Sequence, residues 1–291
     1  MKKNRLHTNE NTVAYLGPQG TFSHQAALQI SYYAKPYASL HEIIQAVEIG
    51  KVEWGILPLE NSLEGAVTET MDLLLELNGS KMVKEIVLPI QYHLLIPANK
   101  NIESIKKVLS HPQALGQCRE LFHDHPYLEQ ISTKSTAEAA KRAAEDNDNA
   151  ALGPYICQKI YHLTSVWCGP KKQTNNETRF VVLGHEKTKP TGNDCTSITF
   201  GTEDVPGGLY GALKVFYEEN INLSRIESRP SKKRLGEYIF FVDCEGHQDE
   251  QSLSRALERL KNATTFFKFF GSYRRVRNYK SEVNRIDCSH G

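Results

Sequence analysis

The sequence predicts an α/β protein in two parts, a longer region of alternating strands and helices followed by a smaller ferredoxin-like unit. Three observations carry the prediction. Short apolar runs alternate with amphipathic segments up to about residue 185, the pattern of sheets covered by helices. A polar stretch from Gly184 to Asp194, holding Pro190 and Gly192, then reads as a linker. Beyond it the order is strand, helix, strand, strand, helix, strand, which is the βαββαβ arrangement.

The first strand is Val13-Ala14-Tyr15-Leu16-Gly17. It runs into Pro18-Gln19-Gly20-Thr21-Phe22-Ser23, where the glycine suits a turn and Ser23 suits a helix N-cap. Ser39-x-x-Glu42 is a capping box, followed by Ile43, Ile44 and Val47 on one face and by Gly50 as a stop. Trp54 to Leu59 predicts a strand, Val67, Met71, Leu74 and Leu75 an amphipathic helix, and Ile86 to Pro97 extended chain. A second capping box, Ser135-x-x-Glu138, opens an alanine-rich helix to Ala144. The strand Ala150–Gly153 and a helix through Tyr161 follow. Repeated alternation of this kind implies parallel sheets, with ligands beyond the carboxyl ends of strands. That marks the segments 17–23, 58–65, 110–113 and 174–180.

In the smaller part the predicted strands are Thr196–Thr202, Leu223–Ser228, Tyr238–Cys244 and Phe266–Tyr273. Its first helix, Gly207–Asn220, places Leu209, Leu213, Phe216 and Tyr217 on one side. The second, Glu250–Asn262, places Leu253, Ala256, Leu257 and Leu260. From about Lys280 the tail lacks periodicity.

Several classes of function are disfavoured. Lys+Arg is 35 against Asp+Glu 34, so no basic field favours nucleic acid or an anionic membrane. No apolar run approaches the ~20 residues of a membrane span. Met1 to Thr8 lacks the apolar stretch of a signal peptide, so a cytoplasmic protein is expected. The cysteines Cys118, Cys157, Cys168, Cys195, Cys244 and Cys288 are scattered without a Cys-x-x-Cys pair and read as reduced core fillers. Gly17-Pro-Gln-Gly20 is no dinucleotide fingerprint, and neither a phosphate-binding loop nor a Gly-x-Ser-x-Gly elbow occurs. His123-Asp124-His125, just before Pro126, reads as a solvated helix end rather than a metal site.

What remains is a polar set on the marked segments: Glu60-Asn61-Ser62, Ser110-His111-Pro112-Gln113, Gln117, and Asn176-Glu177-Thr178-Arg179-Phe180. Each has a structural reading by itself. Asn61 and Ser62 suit a helix cap, Ser110 suits a cap for a helix opened by Pro112, and Arg179 suits a surface ion pair. Their shared position at strand ends favours a binding site.

Leu16-Gly-Pro-Gln-Gly-Thr-Phe-Ser-His-Gln-Ala-Ala27 resembles the opening motif of prephenate dehydratases. Leu57-Pro-Leu-Glu-Asn-Ser-Leu-Glu-Gly65, Ser110-His-Pro-Gln-Ala-Leu-Gly-Gln-Cys118, Ser135-Thr-Ala-Glu-Ala-Ala140 and Asn176-Glu-Thr-Arg-Phe180 resemble further blocks of that family in order. Glu227-Ser-Arg-Pro230 resembles the signature of its phenylalanine-sensing ACT domain. The likeness runs over roughly residues 13–275.

The resemblance implies a catalytic region at 1–190, built like type II periplasmic binding proteins, with lobes of about 1–95 plus 175–190 and about 96–174. An ACT domain at 195–280 and a tail at 281–291 follow. It implies conversion of prephenate to phenylpyruvate, water and carbon dioxide without cofactor or metal, because aromatisation drives the elimination. In that chemistry Thr178 helps the hydroxyl leave and Arg179 holds a carboxylate. Glu60 is either a proton source or an orienting carboxylate, and Asn61, Ser62, Ser110, Gln117, Phe180 and Thr21 position the substrate.

For the ACT domain the resemblance implies phenylalanine bound at an interface of a homodimer or homotetramer, by Gly207, Gly211, Ala212, Leu213, Asn222, Leu223, Glu227 and Ser228. Lys214 and Gly153-Pro154 depart from the family pattern. No chorismate mutase or dehydrogenase region is visible, so a monofunctional chain is expected. The rival readings are arogenate dehydratase, which differs only in an amino group on the substrate, and a non-catalytic amino-acid sensor.

Overall fold

The computed structural model describes residues 11–169, 176–231 and 237–276, so the expected tail at 281–291 lies outside the described residues. In chain order the elements begin β1 (Thr12–Leu16), α1 (Phe22–Ala27), β2 (Tyr33–Tyr37), α2 (Leu40–Glu48), β3 (Trp54–Asn61), β4 (Gly65–Ala66), α3 (Thr68–Leu74) and β5 (Lys81–Pro89). Next come β6 (Tyr92–Pro97), β7 (Lys107–Ser110), α4 (Pro112–Gln117), α5 (Arg119–Asp124), β8 (Glu129–Ser132), α6 (Thr136–Glu145), β9 (Asn149–Gly153), α7 (Ile156–Tyr161), β10 (Leu163–Gly169) and β11 (Glu177–Gly184). The last are β12 (Asp194–Gly201), α8 (Gly208–Glu218), β13 (Leu223–Pro230), β14 (Tyr238–Glu245), α9 (Gln251–Ala263) and β15 (Phe266–Arg274). Among the described residues the chain forms two compact units, residues 11–67 with 87–180 and residues 68–86 with 181–276.

Three sheets organise these elements, in the orders β2-β1-β3-β11-β5 with β4 beside β3, β10-β6-β9-β7-β8, and β13-β14-β12-β15. The expected parallel sheets are mixed. β1 runs parallel to β2 and β3, and β7 to β8 and β9, but β6 runs antiparallel to both β9 and β10. The chain passes from the first sheet to the second between Pro89 and Tyr92.

Both capping boxes form. Ser39 Oγ accepts from Glu42 N at 3.2 Å and Ser135 Oγ from Glu138 N at 3.0 Å. The glutamates reach back to Ala38 N and Lys134 N, one residue before the cap. These two helices then bury Ile43, Ile44 and Val47, and Ala139, Ala140 and Ala143. The N-cap of α1 is Thr21 and not Ser23, because Thr21 is the last extended residue and its Oγ1 accepts from His24 N at 3.2 Å. Ser23 lies inside the helix.

The second unit contains the predicted βαββαβ elements, and every described pairing in its sheet is antiparallel. Helix α9 buries Leu253, Ala256 and Leu260 as expected. Helix α8 buries Phe216 as expected, with Leu209 packed against the same core, but Ala212 and Val215 take the other buried places and Tyr217 is 84% exposed. The stripe is rotated by about one residue, so Leu213 lies at its edge and Tyr217 beyond it. Residues 68–86 also pack on this unit. Lys81 Nζ donates to Phe269 O at 3.1 Å and Lys268 Nζ to Leu77 O at 2.7 Å. Gly271 is obligatory here, since a Cβ would lie 2.1 Å from Met82 O. A buried polar row crosses all four strands: Tyr273 OH donates to Ser197 Oγ, which donates to Asp243 Oδ1, with Arg225 Nη1 3.9 Å from Asp243 Oδ2.

Candidate active site

The last residues of β3 lie beside the first residues of its neighbour β11, and they belong to the strands and not to the loops that the sequence suggested. Asn61 closes β3, with its side chain fixed at both poles. Its Oδ1 accepts from Leu63 N and Glu64 N at 3.0 and 3.2 Å, an Asx turn that shapes the hairpin to β4. Its Nδ2 lies 2.9 Å from Asn176 Oδ1, 3.0 Å from Thr178 Oγ1 and 3.2 Å from Glu177 O. Ser62 adds two bonds to the same strand, N to Glu177 O and Oγ from Glu177 N, both 2.9 Å. The predicted helix cap at Asn61-Ser62 is therefore a strand-to-strand lock.

Asn176 joins this group to the second sheet's helices. It is buried, and its Nδ2 donates to Gln117 Oε1 at 2.8 Å. Gln117, at the end of α4, reaches Glu64 Oε1 at 3.5 Å. Within its block the resemblance implies no separate role for Asn176. Its signal was its place as the polar first residue of the Asn-Glu-Thr-Arg-Phe block, and its role depends on partners 59 and 115 residues away.

Thr178 and Arg179 do not converge. Asn61 faces Thr178, and Glu60 faces Arg179, whose Nη1 lies 3.1 Å from Glu60 Oε1. Successive strand residues point to opposite faces, so the two pairs lie on opposite faces of the sheet. The Arg179 side chain is 13% exposed.

Two further expectations need correction. Ser110 is fully buried and its hydroxyl donates to Leu152 O at 2.6 Å, so it holds β7 to its neighbourhood instead of facing a ligand. The cap of α4 is His111, whose Nδ1 accepts from Gln113 N. Phe180 is 2% exposed and packs in the core, leaving it no surface for a substrate.

The Gly17–Thr21 segment is also fixed. Thr21 Oγ1 donates to Leu16 O, Gly20 O accepts from Cys157 Sγ at 3.0 Å, and Gln19 O accepts from Tyr161 OH at 2.7 Å. Gly20 has φ +96, and a Cβ there would lie 2.9 Å from Cys157 Sγ and 3.1 Å from Tyr161 Cε2. Burial pushes the Cys157 thiol up to about 12, so it donates as a neutral thiol. His24 accepts from Gly20 N through Nδ1 and stacks on Tyr15, and burial lowers its pKa.

In the second unit, Gly207 has φ +86 at the start of α8, and Gly211 has open space where a Cβ would go. Ala212 is in the core, which removes its side chain from any effector contact. Leu213 is half-buried midway along α8, and Asn222 and Leu223 open β13, Asn222 O accepting from Glu245 N at 2.9 Å. Along β13, Arg225, Glu227 and Arg229 are half-buried and Ser224, Ile226 and Ser228 exposed, so Glu227 and Ser228 point to opposite faces.

The prephenate dehydratase family model matches residues 13–188, more than half of the chain. The chain belongs to that family. The ACT domain model matches residues 196–262. Prephenate dehydratases are lyases that dehydrate and decarboxylate prephenate. The chain is similar to the bifunctional chorismate mutase/prephenate dehydratase of Aquifex aeolicus, 44% identical over 265 residues, covering 90% of this chain and 73% of that protein. It is 40% identical to the prephenate dehydratase of Methanocaldococcus jannaschii over 273 residues, covering 90% and 97%. The crystal structure of prephenate dehydratase from Arthrobacter aurescens in complex with L-Phe superposes with a TM-score of 0.82 at 30% identity, covering 91% of this chain and 90% of that one. Among the described residues no helix is long and apolar enough to cross a membrane.

Proposed function

We propose that this chain converts prephenate to phenylpyruvate, carbon dioxide and water at the Asn61–Thr178 group, and that phenylalanine restrains it through the ACT domain. One observation carries the site assignment. Asn61 Nδ2 donates to Thr178 Oγ1, so the threonine hydroxyl keeps its own proton for an acceptor in front of the strand. A hydroxyl that accepts a bond becomes a better donor. The C1–carboxylate bond breaks, its electron pair aromatises the ring, and hydroxide departs from C4 with a hydrogen bond from Thr178. Hydroxide takes up a proton from solvent to leave as water, so charge and atoms balance.

The remaining roles follow from position. Asn61 and Gln117 position the ring and its carboxylate and Asn176 holds these two in place, while Ser62 and Thr21 shape the ends of β3 and the first loop. The substrate lies in the cleft between lobes 1–95 plus 175–190 and 96–174, a reading supported by the Gln117–Asn176 bond. Glu60, paired with Arg179, acts as an orienting acceptor and not as the proton source.

Arg179 has two readings. As the cation for the pyruvyl carboxylate it turns away from Glu60 when substrate enters. As a clip between β3 and β11 it stays with Glu60, which its place opposite Thr178's face favours. Arg179→Lys separates them, since the first predicts a raised KM and the second a lowered melting midpoint with KM unchanged.

The effector reading is supported by the ACT match and by the relative solved with L-Phe. A homodimer or homotetramer is supported by exposed Tyr210, Tyr217 and Ile226 and by β13 as an edge strand of its sheet. A cytoplasmic location is supported by five described cysteines that carry free thiols. The deciding experiment follows phenylpyruvate by absorbance with prephenate and arogenate side by side, then adds phenylalanine and repeats the measurement during sedimentation. Turnover of arogenate alone would give the activity to the arogenate class, and turnover of neither would leave the sensor reading.

A further inference from the structure

Strand β13 carries the Glu227-Ser228-Arg229-Pro230 block assigned to the effector, yet Arg229 points to a different task. Its Nη2 lies 2.9 Å from Asp72 Oδ1 and its Nη1 3.1 Å from Thr68 Oγ1, so one guanidinium grips the first and second turns of α3. Arg225, two steps back along the same face, lies 3.5 Å from Met71 Sδ through Nη2. Helix α3 is thus fastened to the effector strand by two arginines.

The other end of α3 leads straight to the catalytic hairpin. Thr68 follows Val67, whose N donates to Leu59 O at 2.9 Å. Ala66 and Gly65 pair with Glu60 and Asn61. The Asx turn of Asn61 shapes the hairpin between them. Six residues separate Asn61 from Thr68 along the chain. Arg229 Nε is buried without a hydrogen-bond partner, so the grip is incompletely satisfied and easier to release than a fully bonded one.

We propose that Arg229 is the positioning residue through which the regulatory domain sets Asn61. Occupation of the effector site on β13 changes the hold of Arg229 on Asp72 and Thr68, and α3 carries the shift along the chain to the turn that presents Asn61 to Thr178. The proposal rests on the phenylalanine reading above. It requires that phenylalanine favour one of two arrangements of a packed element, which is the physical content of coupling.

The test uses the full chain with Asp72→Asn, which removes the charge of the grip and touches neither the catalytic group nor the effector residues. Phenylalanine binding is measured by calorimetry, and phenylpyruvate formation is measured across phenylalanine concentration. The expected result is a Kd within about threefold of the unmodified chain and an uninhibited kcat within about threefold, with residual activity at saturating phenylalanine raised about fivefold or more. Thr68→Val, which removes the more exposed bond alone, gives a smaller shift of the same kind and stands in if Asp72→Asn does not fold. Wild-type inhibition with binding intact in both variants overturns the coupling. Loss of phenylalanine binding together with inhibition also overturns it, because the grip would then serve the effector site itself. An unmodified chain that neither binds nor responds to phenylalanine overturns the effector reading and the proposal with it.

Discussion

The Asn61 group and the buried row of the regulatory sheet are both chains of hydrogen bonds laid across neighbouring strands, yet they differ in what they leave undone. Tyr273, Ser197 and Asp243 are each 3% exposed or less, and the row ends on the Arg225 cation. Asn61, Thr178 and Gln117 are neutral and half-buried, and the Thr178 hydroxyl accepts from Asn61 Nδ2. A closed, buried, charged row stabilises and specifies packing. Removing one member of such a pair costs about 3–5 kcal/mol. A neutral, water-facing bond contributes only about 1 kcal/mol to stability, so its residues are free to serve a ligand. Breaking the first should damage the fold and spare the chemistry, and breaking the second should do the reverse.

The largest expected effect is on the chemistry. Thr178→Val keeps the side-chain shape and removes the donor, and should lower kcat about 10³-fold, near 4 kcal/mol, with KM within about threefold. Phenylpyruvate kinetics beside a thermal melt would check it, and a kcat within tenfold of the unmodified chain would remove Thr178 from the leaving-group role. Next comes Asp243→Ala, which strips Ser197 and Arg225 of their shared acceptor. It should lower unfolding stability by about 3 kcal/mol in a urea titration while activity per folded molecule stays within about twofold. Equal losses of activity in both variants would erase the distinction between the regions.

His93 supplies a third scale, because it is buried and uncharged. Its Nδ1 lies 2.9 Å from Ser165 Oγ, and burial lowers its pKa to about 4. The unfolded chain, with an ordinary value of 6.5, takes up the proton first. Stability is therefore full above pH 6.5 and falls as the pH drops toward 4, by an upper limit of about 3 kcal/mol. In His93→Gln this acid-side loss should be absent, so melting midpoints of the two proteins should diverge at neutral pH and draw together near pH 4.5. The smallest effect belongs to Gln117→Leu. Loss of the Asn176 partner should raise KM for prephenate about three- to tenfold with kcat nearly unchanged. A fall in kcat as deep as that of Thr178→Val would merge Gln117 with the donor.

Much of this molecule was legible in its local sequence. Ser39 and Glu42, like Ser135 and Glu138, specify a helix start because a cap needs only a side chain and an amide three residues apart. The βαββαβ order was readable because each element carries its own periodicity. The site was legible as a set of blocks, and less so as roles. Ser110 and Phe180 share the polar and aromatic character of binding residues, but Ser110 is closed off by Leu152 O and Phe180 by the core. Asn176 looked ordinary in its block and became the hub of the group.

The sequence by itself determined which segments become helices and strands, and which polar blocks gather at their ends. Those outcomes depend on side-chain period and on contacts within a few residues. Only the tertiary structure decided that β11 lies beside β3, so that Asn61 meets Thr178 while Glu60 meets Arg179 on the opposite face. Such a pairing joins residues more than a hundred positions apart, and register between strands is fixed by the packing of both faces together. Thr178 and Arg179 are neighbours in the chain, and the pleat of the strand is what parts them.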